Sequence, residues 1–245
     1  STKYGILISA MKCYSLLKKM GVLRSLSEAT SIARSSLDYQ QSILTPELTS
    51  IIDGIVIGDG SLNANDNTRV ARVVIGSAQK EFAEYCRKRL LPFSPSEPKF
   101  YPNSKGTGTW VTSTKFHPDL YSLYTRWYPC GKKDIPEDIA LTPNTVLLWY
   151  LGDGSLSAVN DNNARSLYFA TNSFSRDKIE SILVKKLRDL GIETSRVTSD
   201  NRLFVKTSSI ARLLQYMGGE SPVLCYAYKF DLEEWRTHKT LREAA

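Results

Sequence analysis

Apolar and polar positions alternate along the chain in short segments, and one arrangement of them is written twice. Leu44 to Leu62 reads LTPELTSIIDGIVIGDGSL, and Leu141 to Leu156 reads LTPNTVLLWYLGDGSL. Both open Leu-Thr-Pro and close Gly-Asp-Gly-Ser-Leu around an apolar run, which carries Asp53 in the first copy. Thr45 or Thr142 can cap a helix whose first turn takes Pro46 or Pro143, where a missing N–H costs nothing. The run is apolar nearly all round, so each helix is expected to be buried on most faces. Each ends at glycine, where the chain can turn sharply. Asp59 and Asp153 then stand at matching helix C-termini, an unfavourable place for a carboxylate unless something positive binds it.

The segments between and after these copies also match. In the first half, Asn63–Asn67 is a polar, turn-rich tip. Arg69–Ser77 has strand composition, with Arg69, Ala71, Val73 and Ile75 on one face and Val70, Arg72 and Val74 on the other. Gln79–Leu91 reads as a helix, Lys99–Tyr101 and Thr109–Thr114 as two strands, and Pro118–Tyr128 as a helix. The second half follows with a polar tip at Ala158–Asn163, a strand at Arg165–Asn172 and a helix at Ser175–Leu190. A hairpin of Glu193–Thr198 and Arg202–Lys206 and a helix at Ser208–Met217 complete it. Tyr226–Phe230 carries Lys229 where the first half has Lys133: the acids are 94 residues apart and the lysines 96. One unit of about 95 residues is used twice, each reading α-β-β-α-β-β-α with one strand poorly bounded. The expected division is a helical extension over 1–43, a first half over 44–140, and a second half over 141–245 closed by a basic helix at Asp231–Leu241. Within the extension, Ser25–Tyr39 suggests a helix-turn-helix, with a plain helical pair as the alternative.

Composition narrows the partner. Hydrophobic content of 42% and charged content of 23% are ordinary for a globular chain with a real core. A net charge of +7 and a pI near 9.1 favour a polyanion, nucleic acid or an anionic membrane surface. No run approaches the ~18 apolar residues of a membrane span, and Tyr4–Met11 is apolar but lacks a cleavage site, so an intracellular, non-secreted protein is expected. Cys13, Cys86, Cys130 and Cys225 form no Cys-x-x-Cys pair and read as free thiols. His117 and His238 stand at no zinc-ligand spacing, and His117-Pro118 reads as a helix start.

A single Gly-Asp-Gly after a helix is ordinary turn chemistry, but two copies imply a pseudo-twofold molecule with paired carboxylates. The windows Ile52–Gly60 (IDGIVIGDG) and Val146–Gly154 (VLLWYLGDG) resemble the motifs of the LAGLIDADG homing endonucleases. The resemblance covers roughly residues 44–235 and implies an α+β fold of two αββαββα halves. Each half would hold a four-stranded antiparallel sheet, the two sheets forming a DNA-binding saddle with the motif helices paired at the interface. Gly54, Gly58 and Gly152 would let those helices approach closely. The implied chemistry is metal-dependent phosphodiester hydrolysis giving a staggered double-strand break at a long asymmetric site, by a monomer of the intron-homing type.

Asp59 and Asp153 would hold Mg²⁺, two or three divalent ions in all, with the Gly58 and Gly152 carbonyls as further oxygen ligands. Mn²⁺ would substitute, and Ca²⁺ would bind without supporting cleavage. Lys133 and Lys229 match the family's basic residues, with Lys132 the alternative to Lys133. The polar residue that family members carry near the end of the first strand has no match at Gly76 or Ala170, which leaves Gln79 and Asn172, or water. Arg69, Arg72, Lys99, Asn103, Lys105, Arg165, Arg196, Arg202 and Lys206 are candidates for contact with double-stranded DNA; for any one of them a solvated strand face is the alternative. Two other readings stand beside the nuclease: a maturase-type RNA-binding splicing cofactor, and a regulator in which 1–43 reads DNA. A bacterial or organellar setting (mitochondrial or plastid) and no membrane partner are expected.

Overall fold

The structure, a computed structural model, describes residues 17, 19–21, 42–104, 107–159 and 164–232. Nearly all of the N-terminal extension, Lys105, and the closing helix from 233 onward lie outside them. The chain separates into two compact units, Ser1–Ser42 and Ile43–Ala245, and the second contains both copies of the repeat.

The first copy runs α1 (Pro46–Ile57), β1 (Ser61–Asn65), β2 (Val70–Ser77), α2 (Lys80–Arg89), β3 (Lys99–Pro102), β4 (Gly108–Ser113) and α3 (Pro118–Trp127), then a 3₁₀ turn at Pro129–Gly131. The second runs α4 (Pro143–Asp153), β5 (Gly154–Val159), β6 (Ala164–Ala170), a helix α5 over 176–189, β7 (Thr194–Val197), β8 (Arg202–Val205) and α6 (Thr207–Tyr216), then a 3₁₀ turn at Leu224–Lys229. α5 is α-helical at both ends and widens to a π-helix over Ile179–Val184. The two motif helices start as their sequences require. Thr45 Oγ1 accepts from Leu48 N at 3.1 Å and Thr142 Oγ1 from Thr145 N at 3.2 Å, each with proline next in line. His117 caps α3 through Nδ1, which accepts from Asp119 N at 3.1 Å.

Both sheets are antiparallel and four-stranded, ordered β1-β2-β4-β3 and β5-β6-β8-β7. Alternation sends Leu62, Ala71, Val73 and Ile75 inward from the first sheet, and Leu167, Phe169, Leu203 and Val205 inward from the second, all buried. The opposite faces carry Asn63, Arg72 and Val74 in one sheet, and Ser166, Tyr168, Arg202 and Phe204 in the other.

Two details differ from the sequence expectation. The tip read at Asn63–Asn67 begins as strand β1, drawn into register opposite β2 (Asn63 opposite Arg72) by the burial of Leu62 despite its polar composition. Arg69 is not in β2: it sits in the turn before it at φ 47°, so it does not share a face with Ala71.

The motif helices pack against each other where the glycines fall. A Cβ on Gly54 would lie 2.6 Å from Thr145 O and 2.9 Å from Leu148 Cβ, and one on Gly152 would lie 3.2 Å from Asp59 N. Thr145 Oγ1 donates to Ser50 O at 3.0 Å across the same seam. Trp149, fully buried, turns away and stacks on Phe169 of its own sheet at 3.8 Å. Asp53 is 1% exposed and is reached at 2.7 Å by both Arg126 Nη1 and Trp127 Nε1, which ties α1 to α3. Arg126 donates through Nε to Asp138 Oδ1 at 2.7 Å.

Candidate active site

Two carboxylates meet where the motif helices end. Asp153 is the last residue of α4, and Asp59 follows Gly58, the C-cap of α1. Their carboxyl groups lie close enough to interact directly. Burial, reinforced by the charge and hydrogen bond of Asp59, pushes the Asp153 carboxyl up to about 7.

The positive partner of each helix end is a lysine. Lys133 Nζ donates to Gly58 O and Gly60 O, both at 3.1 Å. Lys229 Nζ donates to Leu151 O at 2.8 Å and Tyr150 O at 3.3 Å, while the Tyr150 hydroxyl donates back to Lys229 O at 2.6 Å. These carbonyls lie at or just past the two helix ends (Tyr150 O also accepts from Gly154 N), where an ammonium complements the negative end of the dipole. Burial lowers both lysines, Lys229 to about 8, against the opposing pull of the acids. Both acids act on both lysines, and each lysine is anchored on the helix end of its own half. Lys132 is exposed.

The donor set suits a hard divalent cation: two neighbouring carboxylates beside backbone carbonyls. Among the described residues no cluster of three or more His, Cys, Asp or Glu exists, so such an ion would complete its shell with water, carbonyl and phosphate oxygen. The Gly58 carbonyl, expected as a ligand, is already engaged by Lys133. Gly152 lies against Asp59, and a Cβ there would stand 3.7 Å from Asp59 Oδ2.

The candidate DNA-contact residues that the structure describes are spread over both sheets and their turns. Arg72 lies on the outer face of the first sheet over the Phe116 ring at 5.0 Å, and Lys99 is exposed on β3. Asn103 closes the β3–β4 turn, its Nδ2 donating to Thr107 Oγ1 at 2.6 Å. Arg165 pairs through its backbone with Ala158, and its side chain lies outside the described residues. On the second sheet, Arg196 and Arg202 flank a cross-strand aromatic pair. Arg196 lies 4.7 Å over Phe204, Phe204 and Tyr168 are 5.1 Å apart, and Arg202 lies 5.5 Å over Tyr168. Arg202 also pairs with Asp200 at 2.7 Å, and Lys206, past the end of β8, pairs with Glu193.

Sequence reasoning missed Ser77, the last residue of β2, and Thr171, just past the end of β6, both buried and polar. They are 94 residues apart, the same spacing as the acids, and that spacing was the available signal. Ser77 Oγ accepts from Gln79 N at 3.0 Å and meets Tyr226 Oη at 3.4 Å; Thr171 Oγ1 donates to Asn201 O. The Asn172 amide is committed to Asp200 O.

The fold has known counterparts. The homing endonuclease I-WcaI bound to its DNA recognition sequence is similar over 88% of this chain and 98% of that one, with a TM-score of 0.68 and 16% identity. I-DmoI in complex with DNA and Mn is similar over 70% of this chain and 96% of that one, at a TM-score of 0.44 and 13% identity. By sequence, the uncharacterized protein MJ1098 of Methanocaldococcus jannaschii is 27% identical over 157 residues, which are 62% of this chain. The match spans 59% of that relative's length. Residues 49–213 match the sequence model of the LAGLIDADG DNA endonuclease family. With two motif helices crossed in a single chain and an acid at the foot of each, the protein belongs to the LAGLIDADG family.

Proposed function

We propose that the protein is a metal-dependent, site-specific DNA endonuclease of the intron-homing type that cuts both strands of a long asymmetric site with a stagger, working as a monomer. The observation that carries this reading is the contact of Asp59 with Asp153, flanked by two inward-turned lysines. Phosphodiester hydrolysis needs an activated water, a held phosphate and help for the departing oxygen. Divalent ions, when bound, supply water activation and charge neutralisation. Asp59 and Asp153 would hold those ions, Mg²⁺ by the hardness of the oxygen donors, with Mn²⁺ able to substitute. Lys133 and Lys229, each fixed on two carbonyls, present an ammonium at the rim of the acid pair, where it steadies the charge that develops on phosphate. The outer sheet faces and their turns supply the contacts to duplex DNA, Arg196 and Arg202 foremost. The likeness to a structure of I-WcaI on its recognition sequence supports the choice of duplex DNA as partner.

A supercoiled plasmid library carrying candidate target sites, incubated with Mg²⁺, tests the reading. Linear product is expected, and it is expected to vanish for Asp59→Asn and for Asp153→Asn while Ca²⁺-supported DNA binding persists. A variant that still linearises plasmid overturns the assignment of that acid. Tight binding of RNA with no cutting at any site replaces the nuclease with an RNA-binding role.

A further inference from the structure

The turn that carries Lys229 is held by the other half of the molecule. Glu81, on α2 of the first half, accepts with one oxygen from Leu224 N at 2.7 Å and with the other from Cys225 N at 2.9 Å. These are the opening amides of the 3₁₀ turn Leu224–Lys229, so a first-half carboxylate caps a second-half element. Tyr226, within that turn, packs on Phe82 of α2 with ring centroids 5.4 Å apart, and its hydroxyl meets Ser77 Oγ at the end of β2. The Tyr226 ring lies 4.5 Å from Lys229 Nζ, closer than the Tyr150 ring at 5.8 Å. Lys229 is 5% exposed.

The turn before Lys133 is built differently. Three residues before Lys133 stands exposed Cys130, in the place of Tyr226. Lys133 Nζ lies 5.8 Å over the Phe174 ring. Lys133 itself is less buried than Lys229.

We propose that Tyr226, braced by Glu81 and Ser77 from the first half, is a positioning residue for Lys229, and that it sets the rate at which one strand is cut without setting the other. The proposal rests on the endonuclease reading. The ring fixes the ammonium by cation–π contact in a site shielded from water, while the Glu81 cap fixes the turn from which the lysine projects. Because α2 belongs to the first half, the geometry of this centre depends on how the two halves are seated.

The test is strand-resolved cleavage of a duplex labelled differently on its two strands. Lys229→Met identifies the strand that Lys229 serves. Tyr226→Leu is expected to slow that strand about tenfold, the scale of a desolvated cation–π contact, and to accumulate duplex nicked in the other strand. Tyr226→Phe, which keeps the ring, is expected to restore wild-type rates on both. Glu81→Ala is expected to slow the same strand as Tyr226→Leu. Equal slowing of both strands, or Tyr226→Phe as damaging as Tyr226→Leu, overturns the proposal. A second readout needs no cleavage: acylation of Lys229 by an amine reagent in metal-free protein, followed by mass spectrometry. Tyr226→Leu is expected to raise its labelling rate relative to Lys132, and an unchanged rate overturns the clamp. Failure of the wild type to cut any duplex, with the labelling result as expected, removes the endonuclease reading and leaves the clamp standing.

Discussion

Asp53 sits in an apolar helix, with its carboxylate completed by donors from elsewhere in the chain. Burial pushes the carboxyl up, while the bonds from Arg126 and Trp127 pull it back. Removing one member of such a set strands the others, so Asp53→Ala is expected to lower unfolding free energy in urea by about 3 kcal/mol, and Asp53→Asn by less. At Asp153 the sign runs the other way from an ordinary ion pair. Its folded value, about 7, lies above the ordinary 3.8, so the folded metal-free protein holds a proton that the unfolded chain releases. Its contribution to stability is full below 3.8 and is lost as pH climbs through about 7. Thermal scans of the metal-free protein across that window are expected to show the melting temperature falling as pH rises, with a flatter profile for Asp153→Asn. A divalent ion favours the ionised pair, so adding Mg²⁺ below pH 7 is expected to release protons, measurable by calorimetry in two buffers of different ionisation heat.

Among the elements, the motif helices were the most legible in the sequence. Thr-Pro openings, apolar runs and glycine endings all point to one structure, and the caps form as written. The glycine seam is equally direct. Gly54→Ala would drive a methyl into the Thr145 backbone, and a loss of about 2 kcal/mol is expected in chemical denaturation, with DNA binding reduced in parallel. Strand β1 was illegible for a physical reason. Ser-Leu-Asn-Ala-Asn has poor strand composition, and only its pairing with β2 and the burial of Leu62 make it one. Ser77 and Thr171 escaped notice similarly: their burial comes from neighbours distant in sequence. The acids and lysines were legible because the repeat aligns them. The cap from Glu81 was not, since it joins residues 143 and 144 positions apart.

Taken whole, the chain carries a net charge of +7 and two sheets whose exposed faces bear arginine. Counterion release is expected to make duplex affinity fall steeply with salt, and Arg196→Ala and Arg202→Ala are each expected to reduce the slope of log K against log salt by about 1 if they meet phosphate. A slope unchanged by either, measured by fluorescence anisotropy, would place DNA elsewhere on the surface. Burial made the sheets readable at this scale through their alternation. The contact surface was not readable, because a strand face that binds and one that merely faces water have the same composition.

The seam between the motif helices is unequal: one side supplies Gly54 opposite a second side built from Thr145 and Leu148. Two copies of the second side would collide, and two copies of the first would leave a gap. If residues 43–140 and 141–245 are produced as separate polypeptides, they are therefore expected to find each other in preference to themselves, and size-exclusion chromatography of the mixed and single fragments would reveal that fidelity.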